Sequence, residues 1–340
     1  MEKMNTLVCM EPGKFEYKDA FRPTMASGHA ILKIKKIGIC GTDLHAYEGT
    51  QPYFSYPRIL GHELAAELVD WDGAEGFRKG ETVTFIPYLH CGICIACRLG
   101  KTNCCQYLKV SGVHQDGGMV EYLSVPSSLL VHGNGLTTDE LALVEPLAIG
   151  AHGIAKAGIK ESEFVLITGA GPIGLGAMEM AKIAGAKVIA LDVNENRLKF
   201  CKEKLNVFHT INALSPDIYN QLMELTSGEM PATVIDATGN LKAINNAFNY
   251  IAHGGKYLLI GLQKGDITFS HPEFHKREAT LMSSRNATRS DFEYVINCMK
   301  LGLIDPTNYI THRVAFTEVK EQFGDWLNPQ SGVIKVMVSV

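Results

Sequence analysis

The chain has 340 residues, of which 46% are apolar and 20% charged, and its formal net charge is −4. At roughly 150 residues per domain, that length predicts two domains, each large enough to bury a core. The weak negative balance excludes a surface built to coat nucleic acid. The longest apolar run, 164–178, holds Thr168 and four glycines and stops at Glu179, so no membrane span is expected. Pro12-Gly13 interrupts the N-terminal apolar stretch too early for a secretory signal. A cytoplasmic protein is therefore expected, and in a reducing compartment clustered cysteines bind metal more readily than they pair as disulfides.

Two textures follow each other along the chain. Up to about Ser128 there are short β-rich runs, HAILKIKKIGIC (29–40), ELAAELVDW (63–71) and ETVTFIPY (81–88), broken by Gly, Pro and Asp. From Glu161 to about Lys300, strands alternate with helical patterns. FVLITG leads into a helix from Pro172, then come KVIALD, a helix through NENRLKFCKEKL, TVIDATG, a helix through LKAINNAFNYIA, and KYLLIG. That alternation predicts a doubly wound parallel sheet. The last run, GVIKVMVSV, is strand-like and is expected to rejoin the first domain.

The glycines Gly169, Gly171 and Gly174 form G-x-G-x-x-G between a strand and a helix, which is the setting a dinucleotide fingerprint needs. Gly169 permits the tight turn, Gly171 lets backbone approach a pyrophosphate, and Gly174 lets helix pack on strand. The helix start then offers free N–H groups to the phosphates. Asp192, ending the next strand, is suited to bind the adenine ribose hydroxyls and to repel a 2′-phosphate, which favours NAD; Arg197 is the residue that could accommodate such a phosphate. Ile173, in the same turn, and Ile260 and Gly261, closing KYLLIG, complete the expected cofactor-binding set.

Two groups of potential metal ligands stand out. Cys91, Cys94 and Cys97 repeat at C-x-x-C-x-x-C spacing, with Cys104 and Cys105 rivals for a fourth position. Four thiolates close a tetrahedral zinc shell, leaving no place for substrate, so this group is expected to be structural. A catalytic ion needs fewer protein ligands and a vacancy. Cys40 and His62 offer thiolate and imidazole, with Glu63 or Glu145 completing a mixed shell.

Together these stretches resemble the zinc-dependent medium-chain alcohol dehydrogenases of the sorbitol and threonine dehydrogenase branch. The likeness runs over nearly the whole chain, through GICGTDLHAYEG, LGHE, CGICIACRLGKTNCC, GGMVEYLSVP, VEPLAIGAH and TGAGPIGLGAMEMAK. It implies an α/β protein. A GroES-like β-barrel catalytic domain would span 1–147 and be rejoined by 287–340, and a Rossmann NAD-binding domain would span 148–286, with the active site in the cleft between them. It selects Cys105 over Cys104, since the family's last lobe cysteine lies eight positions beyond the third. It also implies one catalytic and one structural zinc, NAD as cofactor, and a homodimer or homotetramer.

A hydroxyl held by zinc is acidified by the effect that takes bound water from about 15.7 to about 7, after which its carbon can release hydride to the nicotinamide ring. Thr42 and His45 match the family's proton relay, in which Thr42 accepts the alcohol proton and His45 passes it outward. The bland alternatives are that Thr42 caps a helix beginning near Asp43 and that His45 is a surface residue. A zinc-free quinone or enone reductase on the same fold would lack Cys40, His62 and the cysteine lobe. A binding or redox-sensing protein would keep the fold without turnover. GTQPYFSYPRILGHE, VSGVHQDGGMVEYLSVP and HPEFHKREATLMSSRNAT are most similar to the sugar-acid (L-galactonate-type) dehydrogenases of the branch, which oxidise a secondary hydroxyl and keep the carboxylate. Arg285 is the candidate cation for that carboxylate. L-threonine 3-dehydrogenase and sorbitol-type polyol dehydrogenase activities are the alternatives.

Overall fold

The apolar runs of the N-terminal sequence fold as strands. The computed structural model describes residues 2–52 and 54–340. It contains β1 (Lys3–Glu11), β2 (Lys14–Phe21), β3 (His29–Gly38), β4 (Arg58–Ile59), β5 (Glu63–Trp71), β6 (Thr82–Phe85), β7 (Tyr88–Leu89), β8 (Lys109–Val110), β9 (Tyr122–Pro126) and β10 (Leu130–His132). The chain divides into two units, residues up to Pro146 with Thr288–Val340, and Leu147–Ala287.

Strands β11 (Phe164–Thr168), β12 (Lys187–Asp192), β13 (His209–Asn212), β14 (Thr233–Asp236), β15 (Lys256–Leu259) and β16 (Thr280–Ser283) build the second unit, and the chain closes with β17 (Ile310–Ala315) and β18 (Lys335–Ser339) in the first.

In the first unit the main sheet runs β10-β6-β5-β3-β18-β17, with β9 also on β3. The C-terminal strand lies in this sheet, and its Val336 and Val338 fill the same core as Leu32, Ile34, Ile37, Leu64, Leu68 and Phe85. Register fixes what meets at the end of that sheet. Strand β5 lies antiparallel on β3 with Gly38 opposite Glu63, and β18 lies antiparallel on the other side with Met337 opposite Gly38. The residues after β3, before and at the start of β5, and at the start of β18 therefore gather in one place: Cys40, His62 with Glu63, and Lys335. A helix, Gly41–Glu48, leaves directly from Cys40, which is its N-cap.

The second unit is the doubly wound sheet. All five strand pairings are parallel, and the order is β13-β12-β11-β14-β15-β16. Its central strands are buried along their length, with Val165, Leu166, Ile167, Val188, Ile189, Val234 and Ile235 fully covered, so they read as apolar runs and not as alternations. The strand order reverses between β11 and β14, and in such sheets ligands bind outside the strand ends at that switch point. Two glycines there are sterically required. Gly169 has φ +94°, and a Cβ on Gly174 would stand 1.8 Å from the Gly169 carbonyl oxygen.

Gly174→Val should therefore force the helix Pro172–Ile183 away from its strand, at a cost of about 1–3 kcal/mol. Urea unfolding monitored by circular dichroism checks this: a lower midpoint with unchanged slope is expected, together with loss of dinucleotide binding.

Candidate functional site

Cys40, His62 and Glu63 each place one donor atom within 4.8 Å of the others'. His62 and Glu63 are buried, and Cys40 is half-buried at the start of its helix. Asp43 makes this arrangement possible. Its carboxylate is fully enclosed and accepts the Cys40 N–H at 2.9 Å and the Gly61 N–H at 3.1 Å. One side chain thus ties the loop carrying the thiol to the loop carrying the imidazole. Asp43 Oδ1 also stands 3.9 Å from His62 Nδ1, beyond hydrogen-bond distance, so it acts on the ring through its charge.

Glu63 is held from two sides. Lys335 donates to both of its oxygens at 2.6 Å and to the Ile39 carbonyl at 3.1 Å. On the other side, Gly38 leaves room for it, since a Cβ there would meet Glu63 Oε2 at 2.2 Å. Glu145 is buried beside them and accepts a hydrogen bond from the Tyr88 hydroxyl. Burial raises the Glu145 pKa and Glu63 adds to the rise, while His62, Tyr88 and Lys335 work against it. Burial likewise raises Asp43 against the pull of His62. For His62 burial opposes the charged ring, but Cys40 and Asp43 outweigh it, and its pKa stands well above the usual imidazole range.

The donor set fits a divalent cation of zinc's kind on two grounds. Thiolate, imidazole and carboxylate are the ligands zinc takes in mixed shells. In addition, His62 Nδ1 is a buried nitrogen with no hydrogen-bond partner, beyond bonding distance of Asp43.

The cysteine lobe is a separate cluster. The sulfurs of Cys91, Cys94, Cys97 and Cys105 all lie within 4.8 Å of one another, while Cys104 is exposed and outside the group. Cys94 and Cys97 sulfurs are 3.5 Å apart, far beyond a disulfide bond, and all nine cysteines are free. Backbone N–H groups of Cys91 and Tyr107 point at Cys105 Sγ, each at 3.3 Å. Those of Gln106 and Cys97 hold the Cys94 thiol down to about 6, whereas desolvation and Cys94 itself push Cys97 up to about 12. Converging N–H donors around clustered sulfurs suit a set of thiolates gathered on one ion.

Thr42 and His45 sit on the helix that begins at Cys40. They are one turn apart on the same face, Thr42 half-buried and His45 exposed, with the His45 ring 3.3 Å from Glu48 Oε2 and from Thr50 Oγ1. Thr42 does not cap the helix, because that position belongs to Cys40 two residues earlier.

In the second unit, Asp192 uses one oxygen to accept the Ala170 N–H at 2.6 Å and the other to accept the Asn194 N–H at 2.8 Å, so it is anchored to the glycine turn itself. Gly171 is open on its outer face, where the nearest neighbour to an added Cβ would be Arg197 Nη1 at 4.0 Å. Ile173 is half-buried in the same turn. Ile260 and Gly261 donate their N–H groups to the Asp236 carbonyl at 2.9 and 3.0 Å, which brings the end of β15 to the switch point. Arg285 is exposed, two residues beyond β16.

Sequence reasoning passed over Asp43, Tyr88 and Lys335. Asp43 had a signal, an acid three residues after Cys40, where it closes the first helical turn. Lys335 had a fainter one, a single cation within an apolar strand.

Comparison with known proteins agrees with this architecture. Residues 26–134 match the alcohol dehydrogenase GroES-like domain, and residues 172–300 match the zinc-binding dehydrogenase domain. The chain is 44% identical over 324 residues to L-galactonate-5-dehydrogenase of Escherichia coli (strain K12), covering 95% of each chain. It is 33% identical over 274 residues to L-threonine 3-dehydrogenase of Pyrococcus horikoshii, covering 78% of each. The crystal structure of an alcohol dehydrogenase from Escherichia coli CFT073, complexed with cofactor NADH, superposes with TM-score 0.93 at 29% identity and covers all of both chains. The protein belongs to the zinc-binding alcohol dehydrogenase family and is an oxidoreductase of that class.

Asp43→Asn keeps the shape of the buried link and removes its charge. Zinc affinity at Cys40 and His62 should fall about 10–100-fold. Titration against a chromophoric chelator measures it, with the cysteine lobe's ion as the internal reference.

Proposed function

We propose that the protein oxidises a secondary hydroxyl of a sugar acid of the L-galactonate type, passing hydride to NAD. The observation that carries this reading is the 44% identity to an L-galactonate-5-dehydrogenase across nearly the whole chain. The Cys40, His62 and Glu63 group supplies a site for the chemistry. Zinc when bound supplies a Lewis acid that acidifies the substrate hydroxyl, and NAD supplies the hydride acceptor.

The protein's own residues do the rest. Cys40 and His62, with Glu63 or Glu145, hold the ion, and Asp43 ties together the two loops that carry them. Thr42 takes the hydroxyl proton and His45, one helical turn further out, delivers it to water; their spacing and their graded exposure support that order. Glu145, buried and bonded by the Tyr88 hydroxyl, is the further acid beside the ligands. Cys91, Cys94, Cys97 and Cys105 hold a second, structural ion. On the cofactor side, Gly169, Gly171 and Gly174 accept the pyrophosphate, flanked by Ile173, Ile260 and Gly261. Asp192 presents carboxylate lone pairs to the adenine ribose, which favours NAD over NADP, with Arg197 beside the phosphates. Arg285 takes the substrate carboxylate. Nine free cysteines support a reducing, cytoplasmic location, and no helix among the described residues is long and apolar enough to cross a membrane. Assembly as a homodimer or homotetramer is part of the same reading and follows the family resemblance.

The test is NADH formation with L-galactonate, other hexonates, sorbitol and L-threonine. L-galactonate is expected to give the highest kcat/KM, with NAD preferred to NADP. Arg285→Met should raise KM for a hexonate about tenfold or more while sparing sorbitol, because a charge-assisted contact is lost. Equal losses on both would assign Arg285 to the cofactor. Turnover of L-threonine with none of any hexonate would overturn the sugar-acid reading.

A further inference from the structure

Lys335 is the one lysine or arginine buried among the described residues, where Asp43, Glu63, Glu145, Asp236 and Asp291 are the buried acids. An ammonium has three N–H donors. Lys335 spends two on the oxygens of Glu63 and one on the Ile39 carbonyl, so none remains for a substrate. It therefore acts through Glu63. Stability alone does not explain the pair, because an apolar pair of similar volume generally folds as well or better. Its position is also constrained from outside. Gly38, on the neighbouring strand, cannot carry a side chain without striking Glu63 Oε2, so the carboxylate is clamped between β3 and the lysine.

We propose that Lys335 is a positioning residue for the metal site, which neutralises Glu63 and holds it as a weak, oriented donor so that the ion keeps most of its charge for the substrate hydroxyl. The proposal rests on reading Cys40, His62 and Glu63 as a metal centre. Its physical content is one of sign. A carboxylate whose two oxygens share an ammonium gives up little further electron density, and its charge no longer draws a cation from a distance. Freed of Lys335, the same carboxylate would bind the ion fully, and the site would hold metal more tightly while promoting the reaction less. Damage to the fold would do the reverse and weaken metal binding.

The experiment compares cobalt(II) binding to the wild type, Lys335→Met, Lys335→Arg and the double variant Lys335→Met/Glu63→Gln, by competition with a chelator and by the cobalt visible spectrum. With Lys335→Met, cobalt affinity should rise by about tenfold or more, since one unbalanced buried charge sits within a few ångströms of the ion. The visible bands should weaken as a donor is added, and turnover should fall. Lys335→Arg should restore wild-type behaviour. If Lys335→Met does not fold, the double variant, whose net charge equals that of the wild type, decides. Cobalt affinity within a few-fold of wild type is expected, because Glu63 contributes little as a ligand. A large drop in the double variant, or unchanged or weaker cobalt binding in a folded Lys335→Met, would overturn the proposal. A wild type that takes up no cobalt at Cys40 and His62 would overturn the metal-centre reading itself.

Discussion

Dehydrating negative charge governs the architecture of the first unit. Asp43, Glu63 and Glu145 are buried around His62 and the Cys40 thiol, against a single buried lysine among the described residues. Removing several acids from water costs several kcal/mol each unless each is paired or hydrogen-bonded. The chain meets that cost locally: two backbone N–H groups for Asp43, one ammonium for Glu63, and a phenol for Glu145. What remains is an excess of buried donors: burial raises Asp43 and Glu145, and for His62 the pull of Cys40 and Asp43 outweighs burial and raises the ring strongly. A divalent cation is the partner that answers it.

Strand register carries this pocket. Cys40 follows one strand, His62 and Glu63 open the next, and Lys335 opens the last, and antiparallel pairing on both sides of β3 brings those strand ends together. The C-terminal strand thus brings Lys335 to this cluster as well as Val336 and Val338 to the core. A one-residue slip of β18 would turn Lys335 to the opposite face of the sheet and leave Glu63 buried without its counter-charge. The second unit relies on different physics. There a parallel sheet reverses its strand order between β11 and β14, and Gly169 and Gly174 let helix and strand backbone approach where a side chain would clash.

Much of this was legible in the sequence, for identifiable reasons. The parallel sheet shows as buried apolar strands alternating with helices. The cysteine lobe and the glycine turn show because their chemistry is written at short spacing, within one loop each. The residues that were not legible act across the chain. Asp43 bonds Gly61 at a separation of 18 residues, Tyr88 bonds Glu145 at 57, and Lys335 bonds Glu63 at 272. No local pattern marks such partners. A lysine in an apolar strand reads as a surface residue until the strand is known to be covered on both faces. The start of the helix at Gly41 was obscured, with Thr42 read as a possible cap, because its cap is a cysteine, which sequence rules do not favour at that position.

The most direct test of the account is zinc content per chain, measured on the wild type, Cys91→Ser and His62→Ala, with NADH binding as a check that the second unit is intact. About two zinc ions are expected in the wild type. Each variant should lose one, with turnover abolished in His62→Ala while NADH still binds. A His62→Ala protein that keeps its full zinc complement, or a wild type with zinc in the cysteine lobe alone, would contradict it.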